Sequence, residues 1–216
     1  MGLIYHLSDF FYKISSKLPN WLFKFNQGTI YSTKSIELKL RENSRFIFDQ
    51  VKDSDIQDLS KFTGYSVSQL KVRLNANGIG IISREIDSQK ITSIQWAHIG
   101  NIYIRGFNLK LNIPENSAYL YWAYSAPEIR LTGIFNTAYQ KMLDLLNERQ
   151  VKEYYSLVEF SNIISHKNHK RLNFKELTSV LYLKIFFFRI TFLKDISTKK
   201  ISYNINILET KDIDTI

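Results

Sequence analysis

Residues 124–135 read Tyr-Ser-Ala-Pro-Glu-Ile-Arg-Leu-Thr-Gly-Ile-Phe, and the architecture turns on this stretch. Just before it, Ser117 to Ser125 (SAYLYWAYS) is an unbroken apolar and aromatic run, which predicts a central strand covered on both faces. Pro127 turns the chain. A helix is then expected from about Thr132 to Asn147, because Ile134, Phe135, Ala138, Met142, Leu145 and Leu146 form one apolar stripe. The first amides of a helix have no carbonyl partner within it, and its dipole leaves partial positive charge there. Gly133 lets a bulky anion approach the backbone, and Arg130 adds a cation at the mouth. The combination suits a phosphate or pyrophosphate. With Gly133 in ordinary helical backbone, the fold should tolerate an Asp at that position.

Upstream, Arg45 to Val51 is strand-like. Asp53-Ser54-Asp55 opens a helix with acidic residues at its positive end, and Gly64 is a suitable stop. A second helix follows over Ser66 to Leu74. Ile79–Ile86 and Ile91–His98 read as strands around the turn Asp87-Ser88-Gln89-Lys90, and Gly100, Gly106 and Pro114 mark further turns. Downstream come a strand (Glu153–Phe160), a basic helix (Ile163–Arg171), a strand from Lys175 and a weaker strand at Ser202–Leu208. A meander followed by β–α units predicts an α/β (α+β) protein: a mixed, mostly antiparallel sheet with helices on both faces.

The remainder is an N-terminal segment, 1–44, and a polar tail, 195–216, around a domain at 45–194. Ser8 to Leu18 predicts a short helix stopped by Pro19, Trp21, Phe23 and Phe25 follow, and Thr29–Leu40 looks extended. This aromatic and basic leader could dock on the domain or make peripheral contact with a membrane through residues 1–27.

The chain has 216 residues, no cysteine and a formal net charge of +9, so disulfides and thiolate chemistry are excluded and anionic partners are favoured. The four histidines, His6, His98, His166 and His169, have no carboxylate pattern to complete a metal site, and no metal is expected. Val180–Leu193 is shorter than the roughly 20 residues of a spanning helix and is interrupted by Lys184 and Arg189. A soluble cytoplasmic protein is expected. Nucleic acid is not an expected partner, since no helix-turn-helix, finger or RNA-binding signature is present.

Arg130-Leu131-Thr132-Gly133 and the later Asn162–Ser165, followed by Leu172-Asn173-Phe174, resemble the paired motifs of the GNAT-type acyl-CoA N-acyltransferase superfamily. In that family Arg or Gln, two residues, Gly, one residue and Gly or Ala open the helix after the central strand. Phe135 departs from this, standing where a small residue is usual. The later family motif is Asn, two residues, Ser or Ala, then a helix ending in Leu-Gly-Phe. Asn173 replaces the Gly, and Asn is the best substitute for a left-handed cap. The resemblance covers roughly residues 45–190.

It implies a sheet splayed between its fourth and fifth strands, with acetyl-CoA or another acyl-CoA as co-substrate. Pyrophosphate would lie on the backbone of Arg130, Leu131, Thr132, Gly133, Ile134 and Phe135. Pantetheine would pair with the backbone of Ala123 and Ser125 like an added strand. Asn162 and Ser165 would hold the far end of the cofactor. The acceptor would be a small-molecule amine, such as an amino sugar, attacking directly in a ternary complex.

A free alkylamine has a pKa of about 10.4, so a base is needed, and the departing thiolate needs a proton. Glu159, Glu128 and Tyr124 are the candidate bases. His169 stands where many relatives carry a tyrosine acid, four residues before the Gly of Gly-Phe, and as imidazolium it would serve as that acid. The alternative is a GNAT-like module without catalysis that binds a partner or a membrane. Phe135, Asn173 and the missing tyrosine favour it.

Overall fold

The computed structural model describes residues 2–20, 22–40, 44–75, 77–130 and 132–207, with side chains from residue 10 to residue 204. In chain order the elements are α1 (Gly2–Lys17), β1 (Phe23–Thr33), β2 (Phe46–Gln50), α2 (Ile56–Thr63), α3 (Val67–Asn75), β3 (Gly78–Glu85), β4 (Ile91–Ile99) and β5 (Ile102–Ile104). Then follow β6 (Leu109–Leu111), β7 (Ser117–Ser125), α4 (Ile134–Glu148), β8 (Glu153–Glu159), α5 (Ile163–Arg171), β9 (Lys175–Ile185), β10 (Phe188–Asp195) and β11 (Ile201–Ile207). Two compact units result, one of residues 33–102 and 112–156, the other of residues 1–32, 103–111 and 157–215.

In the unit of residues 33–102 and 112–156 the strand order is β8-β7-β4-β3-β2. The pairs β2–β3, β3–β4 and β4–β7 are antiparallel. β7 and β8 pair in parallel from Ser117↔Glu153 to Tyr119↔Tyr155, and β7 then runs on to Ser125. Strand alternation sorts the side chains. Ile82, Ile94 and Trp96 face α2 and α3, where Ile56, Leu59 and Leu70 complete a buried cluster. Gln95 points the other way and donates to the Phe135 carbonyl of α4 at 2.9 Å, so helices cover both faces. α2 ends as its sequence predicts: Gly64 has φ +76 and donates to the Ser60 carbonyl. Asp55 accepts from the Lys52 amide and from Arg84, 2.7 Å each, tying the start of α2 to β3.

In the unit of residues 1–32, 103–111 and 157–215, β9 lies between β1 and β10, and β11 pairs with β10, all antiparallel. β1 comes from within the segment 1–44, and β11 from within the tail 195–216. Helix α1 begins earlier than the Ser8 start expected, and the strand expected at 29–40 lies at 23–33 instead. Phe11 of α1 lies against Phe23 and Phe25, with centroids 6.4 and 5.6 Å apart. On the other face the Gly106 and Phe107 carbonyls accept from Asn26 and Thr191. Gly28 is required in β1, since a Cβ there would lie 2.9 Å from the Val158 carbonyl oxygen. Trp21 lies outside the described residues.

Candidate active site

The strand–turn–helix segment is built as its sequence indicates, with two departures. First, β7 is covered on only half its length. Ser117–Leu120 are buried, while Ala123 and Tyr124 are exposed. The expectation of cover on both faces is therefore corrected. The cause is a bulge: Ile94 faces Tyr124 and Trp96 faces Tyr121, so Trp122 and Ala123 share the single residue Gln95 as their opposite. Trp122 takes φ +44, a left-handed conformation rare for a bulky residue.

Second, Gly133 is not helical. It is the N-cap of α4 with φ +90 and ψ −9, which corrects the expectation of ordinary helical backbone. Its carbonyl accepts from the Asn136 and Thr137 amides at 3.0 and 3.3 Å. The amides of Ile134 and Phe135 lie in the first turn, where a helix has no carbonyl of its own to offer. A short 3-10 turn, Pro127–Ile129, leads into this cap. Thr132 Oγ1 donates to the Ile129 carbonyl at 2.6 Å, and Arg130 Nε reaches the Ser125 carbonyl at 3.4 Å. Ile129 and Ile134 are buried with Phe46 and Ala126, which anchors the turn to β2. Phe135 stacks on Tyr139 one turn along the helix, centroids 5.5 Å apart at 19°. Leu131 lies outside the described residues.

One unit thus brings together Ala123, Tyr124, Ser125, Arg130, Thr132, Gly133, Ile134 and Phe135. It adds residues that sequence reasoning missed. The Arg73 guanidinium lies 4.6 Å from the Tyr65 centroid and 4.2 Å from that of Trp122. Tyr65 and Trp122 themselves meet edge to face. The Tyr121 hydroxyl is buried nearby, and burial pushes its pKa up to about 12 despite Arg73. Phe62 packs on Tyr124 at 5.3 Å. These residues come from α2, the α2–α3 connection, α3 and β7, and no local sequence pattern joins them.

Glu159, Asn162, Ser165 and His169 come together in the other unit. Asn162 caps α5, its Oδ1 accepting the Ser165 amide at 3.1 Å. Glu159 is exposed, and its carbonyl accepts from the Asn162 amide and lies 3.1 Å from His166 Nε2. His169 sits between the Tyr31 and Phe174 rings with Nδ1 2.8 Å from the Ser165 carbonyl. A carbonyl only accepts, so Nδ1 carries the hydrogen. Burial lowers the His169 pKa, and His166 lowers it further, against the bond to Ser165. Both burial and the neighbouring His166 therefore disfavour the imidazolium form. Asn173 has φ +64 and the Phe174 amide returns to the His169 carbonyl at 2.9 Å, the left-handed cap expected of it.

No family model and no curated protein match the chain by sequence. Solved structures do match it. The aminoglycoside N-acetyltransferase AAC(6')-Iy, bound to a bisubstrate analogue, aligns with a TM-score of 0.50 over 62% of this chain and 92% of its own, at 17% identity. A glucosamine N-acetyltransferase region of a fungal multi-domain β-N-acetylglucosaminidase aligns with a TM-score of 0.53, at 16% identity, over 74% of this chain and 21% of that one. A tandem GNAT protein of clavulanic acid biosynthesis gives 0.53 at 8% identity, over 74% and 53%. The chain has the GNAT fold. No helix among the described residues is long and apolar enough to cross a membrane.

Proposed function

We propose that the protein is an N-acyltransferase that moves an acyl group, acetyl in the first instance, from acyl-CoA to the amine of a small molecule. The observation that carries this reading is the pairing, within one unit, of a bulged and exposed β7 with a glycine-capped turn into α4. A bulge withdraws Trp122 and Ala123 from regular pairing with β4, which leaves strand backbone for an extended pantetheine arm. The amides of Gly133, Ile134 and Phe135 then receive the pyrophosphate, with the Arg130 charge beside them. Asn162 Oδ1 serves as the cap of α5, accepting the Ser165 amide.

The acceptor amine must be neutral to attack. Glu159 is the base of this proposal, its carboxylate exposed at the end of β8. Because burial disfavours imidazolium at His169, the proton for the departing thiolate is assigned to Tyr124, exposed on β7 beside Ala123. The flat rings of Tyr65 and Trp122 suit an amino sugar, and two of the structures above are named as aminoglycoside and glucosamine N-acetyltransferases.

Calorimetry with acetyl-CoA, followed by mass spectrometry of products from a panel of amino sugars, tests the proposal. Absence of binding at millimolar cofactor would refute it. Binding without transfer to any amine would select the module without catalysis, the reading that Phe135, Asn173 and the missing tyrosine favour.

A further inference from the structure

The β9–β10 hairpin carries a feature that acyl transfer does not use. Ile185 pairs with Phe188, so Phe186 and Phe187 form a two-residue turn. Such turns favour Asn-Gly, because positive φ strains a bulky side chain. Phe186 nonetheless has φ +53. Ile185, Phe186, Phe187 and Phe188 are each 44–53% exposed, so four consecutive apolar side chains project at a tip where folding would prefer small polar ones. Phe23 lies opposite Ile185, and Phe11 of α1 lies against Phe23. Phe10 packs edge to face on Phe11, and both are exposed, extending the apolar surface from Phe23.

The opposite face of the same strands is cationic. Lys24 stands directly across from Lys184, and Lys184 directly across from Arg189. Like charges directly opposed on a sheet destabilise it. Burial and the two neighbouring cations all lower the Lys184 pKa. Among the described residues no carboxylate forms an ion pair with Lys24 or Lys184. The fold therefore carries two local costs near one tip, a strained aromatic turn and two directly opposed lysines, Lys24 and Lys184, while Arg189 beside them donates to Asn108.

We infer that the β9–β10 tip is a docking surface for an anionic lipid bilayer, Phe186 and Phe187 entering the headgroup region while Lys24 and Lys184 meet lipid phosphates. Aromatic side chains favour the bilayer interface, and basic residues behind them add attraction to anionic lipid. A second copy of the chain is disfavoured as the occupant, because two-fold pairing at this tip would bring the cation rows together. Nucleic acid would meet the cations, but leave four apolar side chains without hydrocarbon to enter.

The test is sedimentation of the full chain with vesicles of phosphatidylcholine alone, or of phosphatidylcholine mixed with phosphatidylglycerol. The wild type is expected to bind the mixed vesicles, less so at high salt. The double variant Phe186→Asn, Phe187→Gly should lose about tenfold or more in binding. Its melting temperature should hold or rise, because Asn-Gly is the better turn, so misfolding cannot explain the loss. Lys24→Gln and Lys184→Gln should each weaken binding by roughly fivefold on mixed vesicles only. Failure of the wild type to bind mixed vesicles would overturn the inference. So would equal binding by the double variant, preference for an oligonucleotide over vesicles, or a dimer that the double variant abolishes.

Discussion

Arg73 stacks on Trp122, its guanidinium carbon 4.2 Å from the ring centroid, at the residue where β7 departs from regular pairing. Trp122 holds φ +44 there, a conformation that surrounding contacts must maintain. Arg73 also lies over Tyr65, so one cation joins α3 to the bulge. Replacing Arg73 with Ala should cost about 1–2 kcal/mol from the lost cation–π and packing contacts. It should also raise KM for the amine acceptor more than it changes acetyl-CoA affinity. Arg73→Lys keeps the charge and loses the flat stack, so it should recover only part of the loss. Calorimetry and steady-state kinetics on both variants check this, and an unchanged acceptor KM in Arg73→Ala would remove the cluster from the acceptor site.

Gly133 offers a cleaner pair of variants. Its φ of +90 penalises any side chain, by about 1–2 kcal/mol, so Gly133→Asn and Gly133→Asp should both lower the melting temperature. They are nearly equal in size and differ in charge. Pyrophosphate over the start of α4 should reject the carboxylate and accept the amide. Acetyl-CoA binding should persist in Gly133→Asn, weakened by about tenfold at most, and disappear in Gly133→Asp. Equal affinities in the two folded variants would refute the cradle.

Phe135 is the family departure that most concerns cofactor binding. Its ring lies along α4 on Tyr139, which burial holds protonated. The ring's stacking partner therefore lies further along the helix rather than at the turn. Phe135→Ala should lower stability by about 1–3 kcal/mol through lost stacking and burial, and leave acetyl-CoA affinity within about threefold. A tenfold gain in affinity on calorimetry would mean that the ring obstructs the site.

The elements legible in sequence are those fixed by local pattern. α4 follows from one apolar stripe, α5 from Asn162 at its start, and the left-handed caps at Gly64 and Asn173 from residue types suited to positive φ. β1 was misplaced because Asn26, Gln27 and Gly28 interrupt its alternation, and Gly28 is dictated by the distant Val158 carbonyl. The bulge at Trp122 and Ala123 has no glycine to announce it, being defined only by the register against Gln95. Arg73 meets Trp122 only once α3 has packed on the sheet. Within His-Lys-Asn-His-Lys-Arg no sequence feature reveals that Tyr31 and Phe174 cover the His169 ring.

That cover gives the last prediction, a pH dependence of known sign. Burial lowers the His169 pKa in the folded chain below its unfolded value of about 6.5, so the unfolded chain binds the proton first. The stability this contributes is complete above about pH 6.5 and is lost as pH falls toward the folded pKa. Other charged and titratable groups surround the ring. His166 lies between the Tyr31 hydroxyl, 2.7 Å from Nδ1, and the Glu159 carbonyl, while Glu176 accepts from Tyr31 and pairs with Lys170. Tyr31 does not titrate in this range, because burial and Glu176 raise its pKa well above the usual phenol value. His166 and Glu176 remain in a His169→Gln variant, so comparing it with the wild type isolates the buried ring. Between about pH 6.5 and pH 5 the wild type should lose more melting temperature than His169→Gln, and above pH 7 the two should run parallel. Parallel curves over the whole range, or a wild type that gains stability on acidification relative to the variant, would show that the ring is not held uncharged.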